Sequence, residues 1–212
     1  MSPTHRLALV EDELPPGFAL DLPAATRALY VVAGAIQCND ATVAADNGCI
    51  ATDKLAIAAP NGARLWRFEL LTAGALAEPP GSRGLLAADL ETAPAGDWLL
   101  RLDSVAFPVG GCAFAHVHQG PGIRCLLHGE IRIDSEGRST HYQPGQAWFE
   151  AGPEPVFAQA SAKWPSRFIR AMVLPRDLLG KSSISYVDPA DKDKPKSQTY
   201  RVFADTAVER PA

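Results

Sequence analysis

The 212-residue chain has no Cys-x-x-Cys pair, no excess of basic charge and no run of about 18 apolar residues, and each absence removes a class of function. Its four cysteines, Cys38, Cys49, Cys112 and Cys125, have neither zinc-knuckle nor redox-motif spacing. A chain this long seldom needs disulfides, so buried free thiols are expected. Lys and Arg number 20 against 24 Asp and Glu, a net charge of −4 that gives no attraction for a phosphate backbone; nucleic acid is not an expected partner. The N-terminal MSPTHRLALVEDELPPG lacks a basic segment followed by a long apolar stretch, so no membrane contact and a cytoplasmic location are expected. A Gly-x-Ser-x-Gly elbow, a phosphate-cradling GxxxxGK[ST] and a helix-opening GxGxxG are missing as well.

What the chain does have is 18 prolines and 17 glycines around short apolar segments rich in Val, Ile, Phe and Trp, with no long amphipathic helix. Such segments occur at residues 28–36, 55–59 and 65–71, then at 98–107, 112–118, 123–127, 130–134, 147–150, 156–160 and 167–174. This spacing predicts an all-β antiparallel barrel or sandwich. Glu136-Gly137 marks a hairpin turn. Residues 72–97, rich in Ala, Gly and Pro, read as a connection with one helical turn around 85–90. An internal repeat supports duplication: Leu29-Tyr-Val-Val-Ala-Gly34-Ala-Ile matches Cys125-Leu-Leu-His-Gly129-Glu-Ile, and Ala59-Pro-Asn-Gly62-Ala-Arg-Leu65 falls where the second half has Ala151-Gly-Pro-Glu-Pro-Val156. The expected organisation is a first domain over 1–75, a linker over 76–97, a second domain over 98–175 and a C-terminal arm over 176–212. The arm reads as charged and solvated, with an edge strand at Tyr200-Arg-Val-Phe.

The chemistry concentrates in Gly110-Gly-Cys-Ala-Phe-Ala-His116-Val-His118-Gln-Gly-Pro-Gly122-Ile-Arg124-Cys-Leu-Leu-His-Gly129. On a strand, residues two apart share a face, so His116 and His118 present two imidazoles side by side. Neutral imidazole binds Fe, Mn, Ni, Zn or Cu, and one strand supplies only one edge of a coordination sphere.

This segment resembles the first motif of the cupin superfamily: Gly, His-x-His, Glu, Gly, carried here by Gly110, His116, His118 and Gly129, with Gly122 where the family has Glu. Pro144-Gly145 through Gly152 and Val156 resembles the second motif, with Val156 where the family has His. The resemblance implies two jelly-roll barrels in tandem, a first barrel without metal because its His-x-His position falls near Asp21–Pro23, and one divalent transition metal in the second. Some cupins carry a Glu where Glu150 stands, so Glu150 is a candidate third ligand and catalytic carboxylate. Arg124, two residues past the lost Glu, points into the same pocket; it either pairs with Glu150 or holds a substrate carboxylate. Family activities include dioxygenases, decarboxylases, isomerases and lyases acting on small organic acids or phenols, and an oxidoreductase of dioxygenase type heads the enzyme reading. The alternatives are a non-catalytic small-molecule binding or sensing cupin with a degenerate site, and a metal-free epimerase with His as base. The family also implies a homodimer through an outer apolar sheet face. His128 and His141 are reserves, His5 is read as terminal, Gln119 and Gln159 as possible lining, and Trp148, Phe114 and Phe157 as core.

Overall fold

The computed structural model describes residues 5–72, 76 and 78–210. Apart from two short 3-10 turns, Arg176–Leu178 and Pro189–Lys192, its regular elements are strands. None of its helices is long and apolar enough to cross a membrane.

The first half contains β1 (His5–Leu14), β2 (Phe18–Leu22), β3 (Thr26–Cys38), β4 (Ala41–Ala44), β5 (Asn47–Ala51), β6 (Leu55–Ala59), β7 (Ala63–Thr72) and β8 (Ser82–Asp89). They form one antiparallel sheet in the order β2-β6-β3-β7-β1-β8, with β4 and β5 also on β3. Because β3 pairs with β7 along its first part and with β4 and β6 along its last, the sheet curls on itself. The second half contains β9 (Trp98–Phe107), β10 (Cys112–His118), β11 (Gly122–His128), β12 (Ile131–Ser135), β13 (Arg138–Tyr142), β14 (Ala147–Glu150), β15 (Val156–Ala160), β16 (Ser166–Pro175), β17 (Ile184–Tyr186) and β18 (Thr199–Val208). Its two sheets run β13-β12-β15-β10-β17 and β14-β11-β16-β9-β18.

The halves repeat one strand plan. Gly34 and Gly129 mark the shared bend: both have positive φ, 76° and 81°, and a Cβ there would meet a carbonyl oxygen at 2.3 Å (Gly62) or 2.2 Å (Pro165). Only glycine fits so close a backbone approach. The first repeat match read from the sequence therefore holds. The second does not: residues 59–65 turn from β6 into β7, whereas 151–156 join β14 to β15. Pro and Gly mark turns in both places without saying which turn is which.

Each barrel turns one strand face inward and the other toward its neighbour. Leu7, Leu9 and Phe68 of the first pack with Leu100, Ile123 and Ile169 of the second in one fully buried cluster, so these outer apolar faces cover each other within the chain. Burying such side chains contributes about 1.5–3 kcal/mol each. His5, read as terminal, is 4% exposed and packs edge-on to Trp98 at 4.8 Å.

Two segments depart from the sequence reading. The expected helical turn at 85–90 is instead part of β8, paired with β1 from Arg6↔Asp89 to Asp12↔Ser82. An open strand edge outweighs the helix preference of Ala and Leu. The C-terminal arm, expected to be solvated apart from an edge strand at Tyr200-Arg-Val-Phe, is largely built into the second barrel: β17 extends the sheet beside β10, and β18, which contains that edge strand, runs along β9 from Thr199↔Ala106 to Val208↔Trp98. Its Lys, Asp and Pro content describes the intervening loop, while the free edges of β9 and β10 decide the pairing.

Candidate functional site

His116 and His118 leave β10 on the face that looks into the second barrel, and both are nearly buried, 6% and 5% exposed. Their ring centroids are 4.9 Å apart with planes at 82°. His116 Nδ1 lies 2.7 Å from the Phe114 carbonyl, to which it donates. That bond puts the proton on Nδ1 and leaves the lone pair on Nε2, the arrangement that orients a ligating imidazole. Burial lowers the His116 pKa from its ordinary 6.5. Burial again, with the positive neighbours Arg170 and Arg124, takes His118 well below that value. Both rings are therefore neutral at neutral pH.

The cavity they face is small, about 20 Å³ for the centre of a water molecule to move in, and is also lined by Arg124, Glu150, Arg170 and Tyr200 with apolar walls such as Phe107 and Phe168. That is room for a water or an ion. Glu150 enters from β14, opposite Gly122. Its Oε1 accepts from the Trp148 indole at 2.8 Å, and its Oε2 lies 2.7 Å from Arg124 Nη2 and 3.6 Å from His118 Nε2. The Arg124 contact is close but poorly aligned, since neither Nη2 nor Oε2 completes a directed hydrogen bond. At 3.6 Å a neutral His118 makes no ion pair with Glu150. Fully buried Arg124 also donates Nη1 to the Gly122 carbonyl at 2.6 Å, and desolvation pulls its pKa down to about 10.

Gly122, where the cupin resemblance implies Glu, has no room for a side chain. A Cβ there would lie 2.5 Å from the Ala171 oxygen, 2.9 Å from Met172 Cγ and 3.1 Å from Arg124 Nη1. The space a side chain would need belongs to the neighbouring strand and to the guanidinium. The Arg124 guanidinium reaches over from two residues away into that space.

The four residues singled out from the sequence, His116, His118, Arg124 and Glu150, thus share one cavity. His128 and His141 are exposed on the outside, as is Gln119. Gln159 turns its amide to the Gly110 and Gly111 carbonyls. Trp148 is core, whereas Phe114 and Phe157 are half-buried beneath Lys194 and Arg132 respectively. Sequence reasoning missed Arg170 and Asp103, a buried bidentate pair at 2.6 and 3.0 Å across β16 and β9. For Arg170, burial lowers the pKa but Asp103 outweighs it, and the net shift is upward. The available signal was charge inside two largely apolar strands: Arg170 in FIRAMV, and Asp103 beside Arg101 in RLDSVAF.

Two donors held about 2.1 Å from one ion stand about 3.5 Å apart at near-tetrahedral angles. The His118–Glu150 separation of 3.6 Å has that value. The histidine pair fits a transition metal by donor type and neutrality, and the His116 tautomer leaves its Nε2 free to ligate. Glu150 fits by distance, but Arg124 already engages it. Among the described residues no three His, Cys, Asp or Glu side chains form a ready-made metal cluster.

No protein-family model and no curated protein matches the sequence. Solved structures match in fold. AerE from Microcystis aeruginosa shares 14% identity over 81% of this chain and 87% of its own, with a TM-score of 0.56. Oxalate decarboxylase from Bacillus subtilis, in a structure reported for its Mn(II) centers, shares 13% over 92% and 74%, with a TM-score of 0.61. A cupin 2 conserved barrel domain protein from Leptotrichia buccalis shares 15% over 82% and 85%, with a TM-score of 0.48. At such identities the likeness to the first two, with TM-scores above 0.5, establishes the fold alone: this chain has the cupin fold. It is the all-β, tandem-barrel form of it.

Proposed function

We propose that the second barrel holds one divalent transition metal on His116 and His118, recruits Glu150 as a third donor, and acts on a small organic acid. The carrying observation is the pair of buried, neutral imidazoles facing one cavity, with the His116 tautomer fixed by the Phe114 carbonyl. The Mn(II) centers of oxalate decarboxylase, a protein of similar fold, support the reading. When bound, such an ion supplies a Lewis acid or a redox centre, and a two-histidine anchor leaves positions open for substrate or oxygen, as a dioxygenase-type oxidoreductase requires.

The chain's own groups have defined tasks in this reading. The Trp148 indole holds one oxygen of Glu150 and leaves the other to face His118. Arg124 neutralises Glu150 at rest, and a substrate carboxylate would reach it only if the cavity, sized here for a water or an ion, opens. Phe107, Phe168 and Val105 supply apolar walls, and the low-dielectric surroundings strengthen each of these contacts. A second reading, a metal-free small-molecule binding barrel, is favoured by the Arg124–Glu150 pair itself.

Elemental analysis of protein exposed to Mn, Fe, Ni, Zn and Cu and then desalted separates the two. The metal reading expects about one ion per chain, lost in both His116→Ala and His118→Ala and weakened roughly 10–100-fold in Glu150→Gln. Protein that retains none of the five metals contradicts it and leaves the binding barrel.

A further inference from the structure

A second and larger space opens at the mouth of the same barrel. This chamber of about 460 Å³ is floored by Arg101, Asp103 and Arg170, and its sides come from residues 180–184 and from β18. It shares Arg170 and Tyr200 with the histidine cavity, so these two side chains form the partition between the spaces. The partition is firmly built. Asp103 grips Arg170 at two points, the guanidinium lies 5.7 Å over the Tyr200 ring, and Gln198 donates to the Tyr200 hydroxyl at 3.0 Å.

The segment after residue 175 makes most of this chamber, and it places unusual residues there. Val202 is 50% exposed and Tyr200 is 47% exposed, both on β18, with Ile184 of β17 in the same lining. Large apolar side chains left open together in a concave site mark a ligand surface, and the volume is that of a small-molecule pocket. The charges are mostly cancelled: Arg101 pairs with Asp205 at 2.8 Å and Arg170 with Asp103. Lys181 makes no ion pair among the described residues, so the lining carries one positive charge in excess.

We propose that this chamber binds an aromatic monocarboxylate, its ring against Tyr200, Val202 and Ile184 and its carboxylate on Lys181, and that the C-terminal segment thereby selects the ligand. The inference goes beyond the metal reading and stands without it, since no lining residue named here is a candidate metal donor.

The test uses 2-naphthoate as probe, titrated calorimetrically into the full-length protein. One site per chain is expected, and Val202→Glu should weaken binding at least about tenfold because it sets a carboxylate against the ligand's own. Lys181→Ala and the uncharged probe 2-naphthamide should each lose about threefold or more, as expected for one partly exposed charge pair. His116→Ala should bind as wild type does. Circular dichroism checks each fold, and Val202→Thr replaces Val202→Glu if the latter does not fold. Absence of saturable binding, or equal affinity in wild type and both Val202 variants, overturns the proposal. Binding lost in His116→Ala but kept in Val202→Glu also overturns it, by placing the ligand in the histidine cavity, and leaves the metal reading intact.

Discussion

Arg67 in the first barrel and Arg170 in the second stand at equivalent registers, opposite Leu29 on β3 and Arg124 on β11 respectively. Around Arg67 every charge is matched: Asp12 grips it at 2.8 and 3.1 Å, and Glu69 is shared between Arg67 and Arg27, all within 1% of full burial. Around Arg170 the matching is incomplete. Asp103 holds it, but the neighbouring positions carry two neutral histidines, a misaligned Arg124–Glu150 pair and a cavity. Leu22, opposite Leu55 in the first barrel, occupies the register of His116 opposite Val156 in the second. Arg27 likewise stands where the second barrel has Gly122. The same scaffold is closed by charge pairs and leucines in one copy and left open, with acceptor atoms facing a void, in the other. A filled interior serves stability, and an open one serves chemistry.

The largest expected effect lies in the filled barrel. Asp12→Asn leaves two buried arginines to one carboxylate and should destabilise by about 3–5 kcal/mol in urea unfolding. A cost near zero would mean the network does not hold the first barrel together. Next comes the pair Arg27 and Gly122: at the second position Gly122→Ala drives a Cβ onto the Ala171 oxygen, and should cost about 1–3 kcal/mol. A neutral substitution would show that the backbone yields.

A third effect is on pH dependence. In metal-free protein the folded state keeps His116 and His118 neutral, while the unfolded chain takes up protons near the ordinary 6.5. Their contribution is thus fully present above about pH 6.5 and falls as pH drops toward the folded-state values, by up to about 1.4 kcal/mol per unit for each histidine. Replacing both by leucine, as at Leu22, should flatten that part of the profile. An unchanged profile would mean the rings protonate as freely folded as unfolded.

Much of this contrast was legible in the sequence, where local pattern controls geometry. The His-x-His spacing put both rings on one face, the pleat aimed Arg124 at the same pocket, and Glu136-Gly137 makes the expected turn with φ of 51° and 70°. The mouth was not legible. Tyr200-Arg-Val-Phe was read as an edge strand and lies within β18, but β17 and the pairing of β18 with β9 depend on open edges that the loop composition does not show. The network of Asp12, Arg27, Arg67 and Glu69 was missed because residues on three strands become neighbours only once the barrel closes. Its trace was charge at inward positions of apolar strands, the same trace left by Asp103 and Arg170.

In the proposed reading only the second barrel offers a metal its donors. Anomalous diffraction from manganese-soaked crystals tests it directly: the account predicts one peak about 2.0–2.2 Å from Nε2 of both His116 and His118 and none inside the first barrel. A map without a peak at the two imidazoles, or with one among Asp12 and Glu69, would contradict it.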